Sequence, residues 1–121
     1  MGLQAAIDLV VTDRDTACSM RSGEVPVLAT PRLVALCEEA TMKAMETRLA
    51  DDQTSVGSSV ELSHLVPIQV GSQVRATATL ERCEGRRVVF SVSVTDHCGL
   101  VAAGRVTRVV VDKAAFLARA R

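Results

Sequence analysis

Between Thr30 and Ala50 the chain carries one long segment with helical periodicity and very little polar surface. Thr30 is a preferred N-cap residue, and Pro31 follows at the first helical position, where its missing N–H costs nothing. The spacing therefore predicts a helix over residues 31–50. At 100° per residue its polar stripe contains only Arg32, Glu39, Lys43 and Glu46, while Leu33, Val34, Cys37, Ala40, Thr41, Ala44 and Met45 fill a wide apolar arc. A helix this apolar has to be largely enclosed by its neighbours, so the rest of the chain must supply a wall around it.

That wall is legible in the pattern that follows, where the period changes from 3.6 to 2. Residues 54–65 read as a strand with Val56, Val60, Leu62 and His64 on one face and Ser58 interrupting it. Residues 73–82 alternate Val74, Ala76, Ala78 and Leu80 with polar side chains, and residues 87–95 place Val88, Phe90, Val92 and Val94 on one side. Residues 100–111 form a last long strand, 113–119 a short helical tail, and 6–12 a strand ahead of the helix. Turn signals fall at Glu84–Gly85 and around Asp96 to Gly99, and a Ser/Gly/Pro-rich loop covers 19–26. One strand, one enclosed helix and four antiparallel strands predict an α+β hotdog fold: a sheet wrapped around one central helix, with residues 1–121 as a single domain. Such a sheet leaves an exposed edge, which predicts pairing with a second copy in a homodimer.

Composition removes several function classes. Phe90 and Phe116 are the sole aromatics, and 14 basic residues balance 14 acidic ones. Neither aromatic platforms nor a basic footprint is available, so no nucleic-acid partner is expected. No apolar run approaches the roughly 20 residues that span a bilayer, and the first 15 residues lack a basic n-region, so no membrane or secretory role is expected. Cys18, Cys37, Cys83 and Cys98 show no C-x-x-C spacing, and His97 beside Cys98 reads as a solvent-exposed turn. No metal site is expected, and free thiols fit a cytoplasmic protein.

A few polar residues stand out against this background. Glu39 precedes Lys43 by one helical turn and reads as part of a solvated face. Glu38 projects roughly 20° from Met45 and from Leu49 around the helix. Burial among such neighbours would raise its pKa and suit a general base, while a boundary carboxylate reaching solvent is the bland alternative. His64 lies on the apolar face of its strand, where histidines are commonly structural. Capping alone accounts for Thr30, and no adjacent residue would activate its hydroxyl. Gly57 inside a strand marks a bulge or a close approach to the backbone.

Together, the runs VLATPRLVALCEEATMKAM, SVGSSVELSHLVP and ERCEGRRVVFSVSV resemble the fluoroacetyl-CoA thioesterase family of hotdog proteins, from about Val25 to Val111. In that family a Thr opens the central helix, a Glu follows eight residues later and a His lies 26 beyond the Glu, spacings that Thr30, Glu38 and His64 reproduce. The resemblance implies a catalytic group of Thr30, Glu38 and His64 and hydrolysis of an acyl-CoA to a carboxylate and free coenzyme A. It implies no cofactor beyond the coenzyme A of the substrate. Glu38 would act as general base or as nucleophile, Thr30 would orient the carboxylate or substrate, and His64 would stabilise charge or protonate the thiolate. Gly57 and Arg108 are implied as substrate contacts. The family's fluoroacetate-hydrolysing member has an aromatic gate before the catalytic Thr. Here that loop reads RSGEVPVLAT, which points to ordinary short or medium acyl groups instead. The alternatives are a non-catalytic acyl-CoA binding or sensing domain and a hydratase, the latter wanting an Asp and His together beside the helix.

Overall fold

The computed structural model describes residues 3–121. Five antiparallel strands, β1 (Gln4–Val10), β2 (Gln53–His64), β3 (Gln73–Glu84), β4 (Arg87–Asp96) and β5 (Gly99–Asp112), form one sheet in the order β1-β3-β4-β5-β2. The sheet curls around the helix α2 (Thr30–Met45), as a hotdog fold requires. Leu33, Leu36, Cys37, Ala40, Ala44 and Met45 of α2 meet Val74, Ala76, Ala78, Phe90, Val92, Val94 and Val106 of the sheet. Phe90 is fully buried at the centre, and burying a side chain of that size contributes about 2–3 kcal/mol. Opposite alanines (Ala40, Ala76, Ala78), all without exposed surface, let helix and sheet approach closely.

The first strand lies two residues earlier than the sequence reading placed it, and three further differences bear on the site. The helix ends at Met45, and Glu46–Arg48 continue as a 3₁₀ turn, so Leu49 and Ala50 lie beyond it. Its N-cap is Ala29, whose carbonyl accepts from the amides of Arg32 and Leu33 at 3.1 Å each. Thr30 is thus the first helical residue, and its side chain caps nothing. The third difference is a register shift between Gly57 and Ser59. Ser58 is the extra residue of a bulge, and one extra residue reverses the inside–outside alternation. Val56 therefore stands opposite Val109 on the outer face, while Ser55 and Gly57 join Val60, Leu62 and His64 on the inner one.

The helix is also less enclosed than its composition predicts. Pro31, Ala35 and Met42 are exposed along the face that carries Glu38 and Glu39, with Met42 at 53%. β1 and β2 are the two edges of the sheet, so this open helix face lies beside unpaired strand edges.

Before α2, a 3₁₀ turn (Asp13–Asp15) and a short helix α1 (Ala17–Met20) fold the loop against the helix start. Buried Asp15 organises it. Its carboxylate accepts from the Thr12 amide at 2.8 Å and from Arg32 Nε at 2.9 Å, while its carbonyl accepts from the Ala29 amide. Burial pushes the Asp15 pKa up, but the Thr12 amide, the Arg32 guanidinium and the Thr12 hydroxyl outweigh it and hold the group below 3.8. A depressed folded pKa gives stability that is present above the unfolded value and lost as pH falls through the folded one. Asp15→Asn is therefore expected to destabilise the protein by about 1–2 kcal/mol at pH 7. Urea unfolding of wild type and variant should converge well below pH 4. An equal gap at pH 7 and at pH 3 would remove the carboxylate's charge from this account.

Candidate active site

The start of α2 meets the end of β2 at a cavity of about 340 Å³. Thr30 Oγ1 lies 2.8 Å from His64 Nδ1, and His64 Nε2 lies 3.0 Å from the Val66 carbonyl. A carbonyl only accepts, so Nε2 carries the proton in neutral His64. Nδ1 is then a lone pair, and the Thr30 hydroxyl donates to it. A hydroxyl is thus held against a base that is itself oriented by a third group. The sequence offered no activator for Thr30 because this one lies 34 residues away. Val25, Val27, Leu28, Leu65, Val66 and Pro67 give the cavity an apolar side, Ser22, Thr30 and His64 line it with polar groups, and no Phe, Tyr or Trp reaches it.

Glu38 belongs to a second group. It lies eight residues along α2 from Thr30, about 12 Å of helix axis. Its side chain is 36% exposed and reaches the inner face of β2 at Gly57, where a Cβ atom would collide with Glu38 Oε2. The absent side chain of Gly57 is what gives the carboxylate its place. The bulge next to it and the close approach at it are both present. The surroundings are less apolar than the helix pattern implied, because Arg108 Nη1 stands 3.6 Å from Glu38 Oε2.

Arg108 itself is 3% exposed, and its fork is occupied by protein. Nε donates to Ser55 Oγ at 2.8 Å, Nη2 to the Ser55 carbonyl at 2.9 Å and Nη1 to Thr41 Oγ1 at 3.4 Å. Thr41 in turn donates to the Glu38 carbonyl at 2.6 Å. Burial pulls the Arg108 pKa down, and the Glu38 charge opposes this. Ser55 and Thr41 were not singled out from the sequence, since each reads as a small polar residue until Arg108 is seen beside it.

Within one chain, then, Thr30 meets His64, and Glu38 meets Gly57 and Arg108. No hydrogen bond or ion pair among the described residues joins the two groups. Cys37 precedes Glu38 but turns into the core, where burial pushes its thiol up to about 11. Cys18, Cys83 and Cys98 are exposed. A thiol reagent is expected to titrate three cysteines in the folded protein and the fourth only on unfolding. A fourth fast thiol would mean that α2 opens readily. Asp96, His97 and Cys98 offer ligand-type atoms within 4.8 Å of one another at the exposed β4–β5 turn. There Asp96 Oδ1 accepts the Cys98 amide at 2.9 Å, which closes the turn. The Asp–His pair sits at the turn between β4 and β5 and, among the described residues, makes no hydrogen bond to α2, unlike a hydratase motif. No helix among the described residues is long and apolar enough to cross a membrane.

Comparison with known proteins identifies the family and agrees with the fold. The profile of the fluoroacetyl-CoA-specific thioesterases matches residues 11–114. The fluoroacetyl-CoA thioesterase of Streptantibioticus cattleyicolor is 33% identical over 95 residues, covering 78% of this chain and 68% of that protein. A solved structure of the fluoroacetyl-CoA thioesterase FlK superposes with a TM-score of 0.90 at 28% identity, covering 96% of this chain and 90% of the other. A Thermus thermophilus hypothetical protein of the thioesterase superfamily gives a TM-score of 0.88 at 34% identity, covering 95% and 85%. The chain belongs to the fluoroacetyl-CoA-specific thioesterase family, a family of hotdog thioester hydrolases.

Proposed function

We propose that this protein is a cytoplasmic acyl-CoA thioesterase that releases a short- or medium-chain carboxylate and coenzyme A, and that its active site is completed in a homodimer. One observation carries the reading. The Thr30–His64 pair and the Glu38 carboxylate are each pre-set in geometry, yet one chain holds them on different turns of α2. A two-fold axis crossing the free edge of β2 midway between Gly57 and His64 would pair the two edges antiparallel. It would lay the exposed Ala35 and Met42 faces of two helices side by side. Gly57, and with it Glu38, then comes level with the partner's His64.

In such a site the thioester carbonyl sits at the N-terminus of one α2, whose backbone dipole favours developing negative charge. Glu38 from the other chain removes a proton from water as its oxygen attacks the carbonyl carbon, or attacks that carbon itself to give a mixed anhydride that water then opens. The C–S bond breaks, and the thiolate leaves with the proton that came from water, passed on by Glu38 or released when water opens the anhydride, while His64 stabilises the charge that develops. Thr30, hydrogen-bonded to His64 Nδ1, holds the imidazole and the acyl carbonyl in place. The apolar side of the cavity beside Thr30 (Val25, Val27, Leu28 and Leu65) accepts the acyl chain, and its lack of Phe, Tyr or Trp favours groups larger than fluoroacetyl. Coenzyme A enters with the substrate, and no further cofactor takes part.

The test is free-thiol release from a panel of acyl-CoA esters, followed by subunit mixing. Glu38→Gln and His64→Ala homodimers are each expected to be inactive. Refolded together, half of the dimers are mixed, and each mixed dimer holds one intact site, so about a quarter of wild-type activity should return. No recovery on mixing would place the complete site within one chain. Tight binding without thiol release from any ester would leave an acyl-CoA sensor as the function.

A further inference from the structure

The environment of Arg108 points to a role different from the one the family resemblance implies. As a substrate contact, Arg108 would need a free face, but its side chain is 4% exposed and all three guanidinium nitrogens have protein partners. Two of those three nitrogens are held by one residue. Ser55 offers its hydroxyl to Nε and its carbonyl to Nη2, which fixes the plane of the fork. Only Nη1 is left to turn toward α2, where it meets Thr41 Oγ1 at 3.4 Å and Glu38 Oε2 at 3.6 Å. Gly57 lies opposite Arg108 in the β2–β5 register, and its missing side chain opens the gap through which Glu38 reaches the cation. The bulge at Ser58 turns both Ser55 and Gly57 inward, so the two features arise from one backbone event.

We propose that Ser55 is a positioning residue of the site: it locks Arg108 as an internal counter-ion whose Nη1 orients the Glu38 carboxylate. This rests on Glu38 being the reacting carboxylate. Arg108 in this role touches Glu38 rather than the acyl group. Among the described residues, the cation is the one charge that the sheet turns toward Glu38. The core side chains facing α2 from β1, β3 and β4 are apolar, and Ser55 and Gly57 on β2 carry no charge. On α2 itself Glu39 and Lys43 are exposed, and Lys43 Nζ reaches away to the Ala6 carbonyl at 3.3 Å. In the dimer proposed above, the partner's His64 would be a further ionisable group facing Glu38.

The decisive variants are Ser55→Ala, which removes the Nε acceptor, and Ser55→Thr, which restores a hydroxyl on a strand-compatible side chain. Ser55→Ala is expected to lower kcat by about tenfold or more with KM changed less than about twofold. The acid limb of the kcat/KM profile should move to higher pH, because a carboxylate with a poorly held counter-ion protonates more easily. Ser55→Thr should recover most of both. In an Arg108→Met background the serine change should add nothing further. A role limited to stability would lower the melting temperature and leave the acid limb in place, and that result overturns the proposal. Multiplying defects in the double variant overturn it as well. Should Ser55→Ala fold poorly, Thr41→Val removes the Nη1 acceptor at nearly constant volume and should move the acid limb in the same direction. An NMR titration of ¹³C-labelled Glu38 in wild type and Ser55→Ala reads the same effect without turnover. A raised Glu38 midpoint in the variant supports the counter-ion even if no ester is hydrolysed, and an unchanged midpoint overturns it even if one is.

Discussion

Glu38→Gln is expected to lower kcat/KM on the best acyl-CoA substrate by about 100-fold or more, with the fold intact. Glutamine has nearly the same shape, so it still fills the space at Gly57. It neither takes a proton from water nor serves as a nucleophile. Arg108 loses its one carboxylate partner but keeps both bonds to Ser55 and one to Thr41, so the buried guanidinium remains hydrogen-bonded. The stability cost should accordingly be on the order of 1–2 kcal/mol, far less than unfolding would require. Thiol release measured beside a urea titration separates the two effects. Retention of more than about a tenth of the activity would remove Glu38 from the chemistry and shift attention to Thr30, whose hydroxyl already donates to His64 Nδ1.

Gly57→Ala should come close to that loss by a different route. The added Cβ collides with Glu38 Oε2, and its other near neighbour is Arg108 Nη1 at 3.7 Å. The obstructed atom is the end of a flexible side chain that is more than a third exposed, so the carboxylate can swing outward instead of straining the strand. The backbone at Gly57 needs no positive φ, which leaves alanine free to adopt the extended conformation. The expected result is a fall in kcat of about 50-fold or more with a melting temperature within a few degrees of wild type. A variant that melts far earlier would show that Gly57 serves the packing of β2 rather than the seat of Glu38. Full activity would show that the carboxylate works from a different rotamer.

Much of the architecture was readable because its causes are local. The helical period around residues 31–45 and the alternation in residues 73–82 and 87–95 each depend on side chains a few positions apart. So does the placement of Val74, Ala76, Ala78, Phe90, Val92 and Val94 in the core. The Thr30, Glu38 and His64 spacings were equally visible, as was the isolated Gly57 within a strand pattern. What these residues do to one another was not. Gly57 and the interrupting Ser58 pointed to a bulge, but not to its effect on register: one extra residue exchanged Val56 for Ser55 and Gly57 on the inner face. The helix began one residue before its expected start, because Ala29 could supply the first carbonyl without a capping side chain, and this released the Thr30 hydroxyl.

By itself, the sequence determined the order of elements, the apolar core, the family and the residues to watch, since periodicity and spacing act over short stretches of chain. Only the tertiary structure decided that Thr30 is hydrogen-bonded to His64, that Ser55 holds Arg108 across 53 residues, and that Glu38 stands apart from Thr30 along the helix. Those pairings depend on strand register and on how the sheet curls around α2, which are set by the packing of the whole chain.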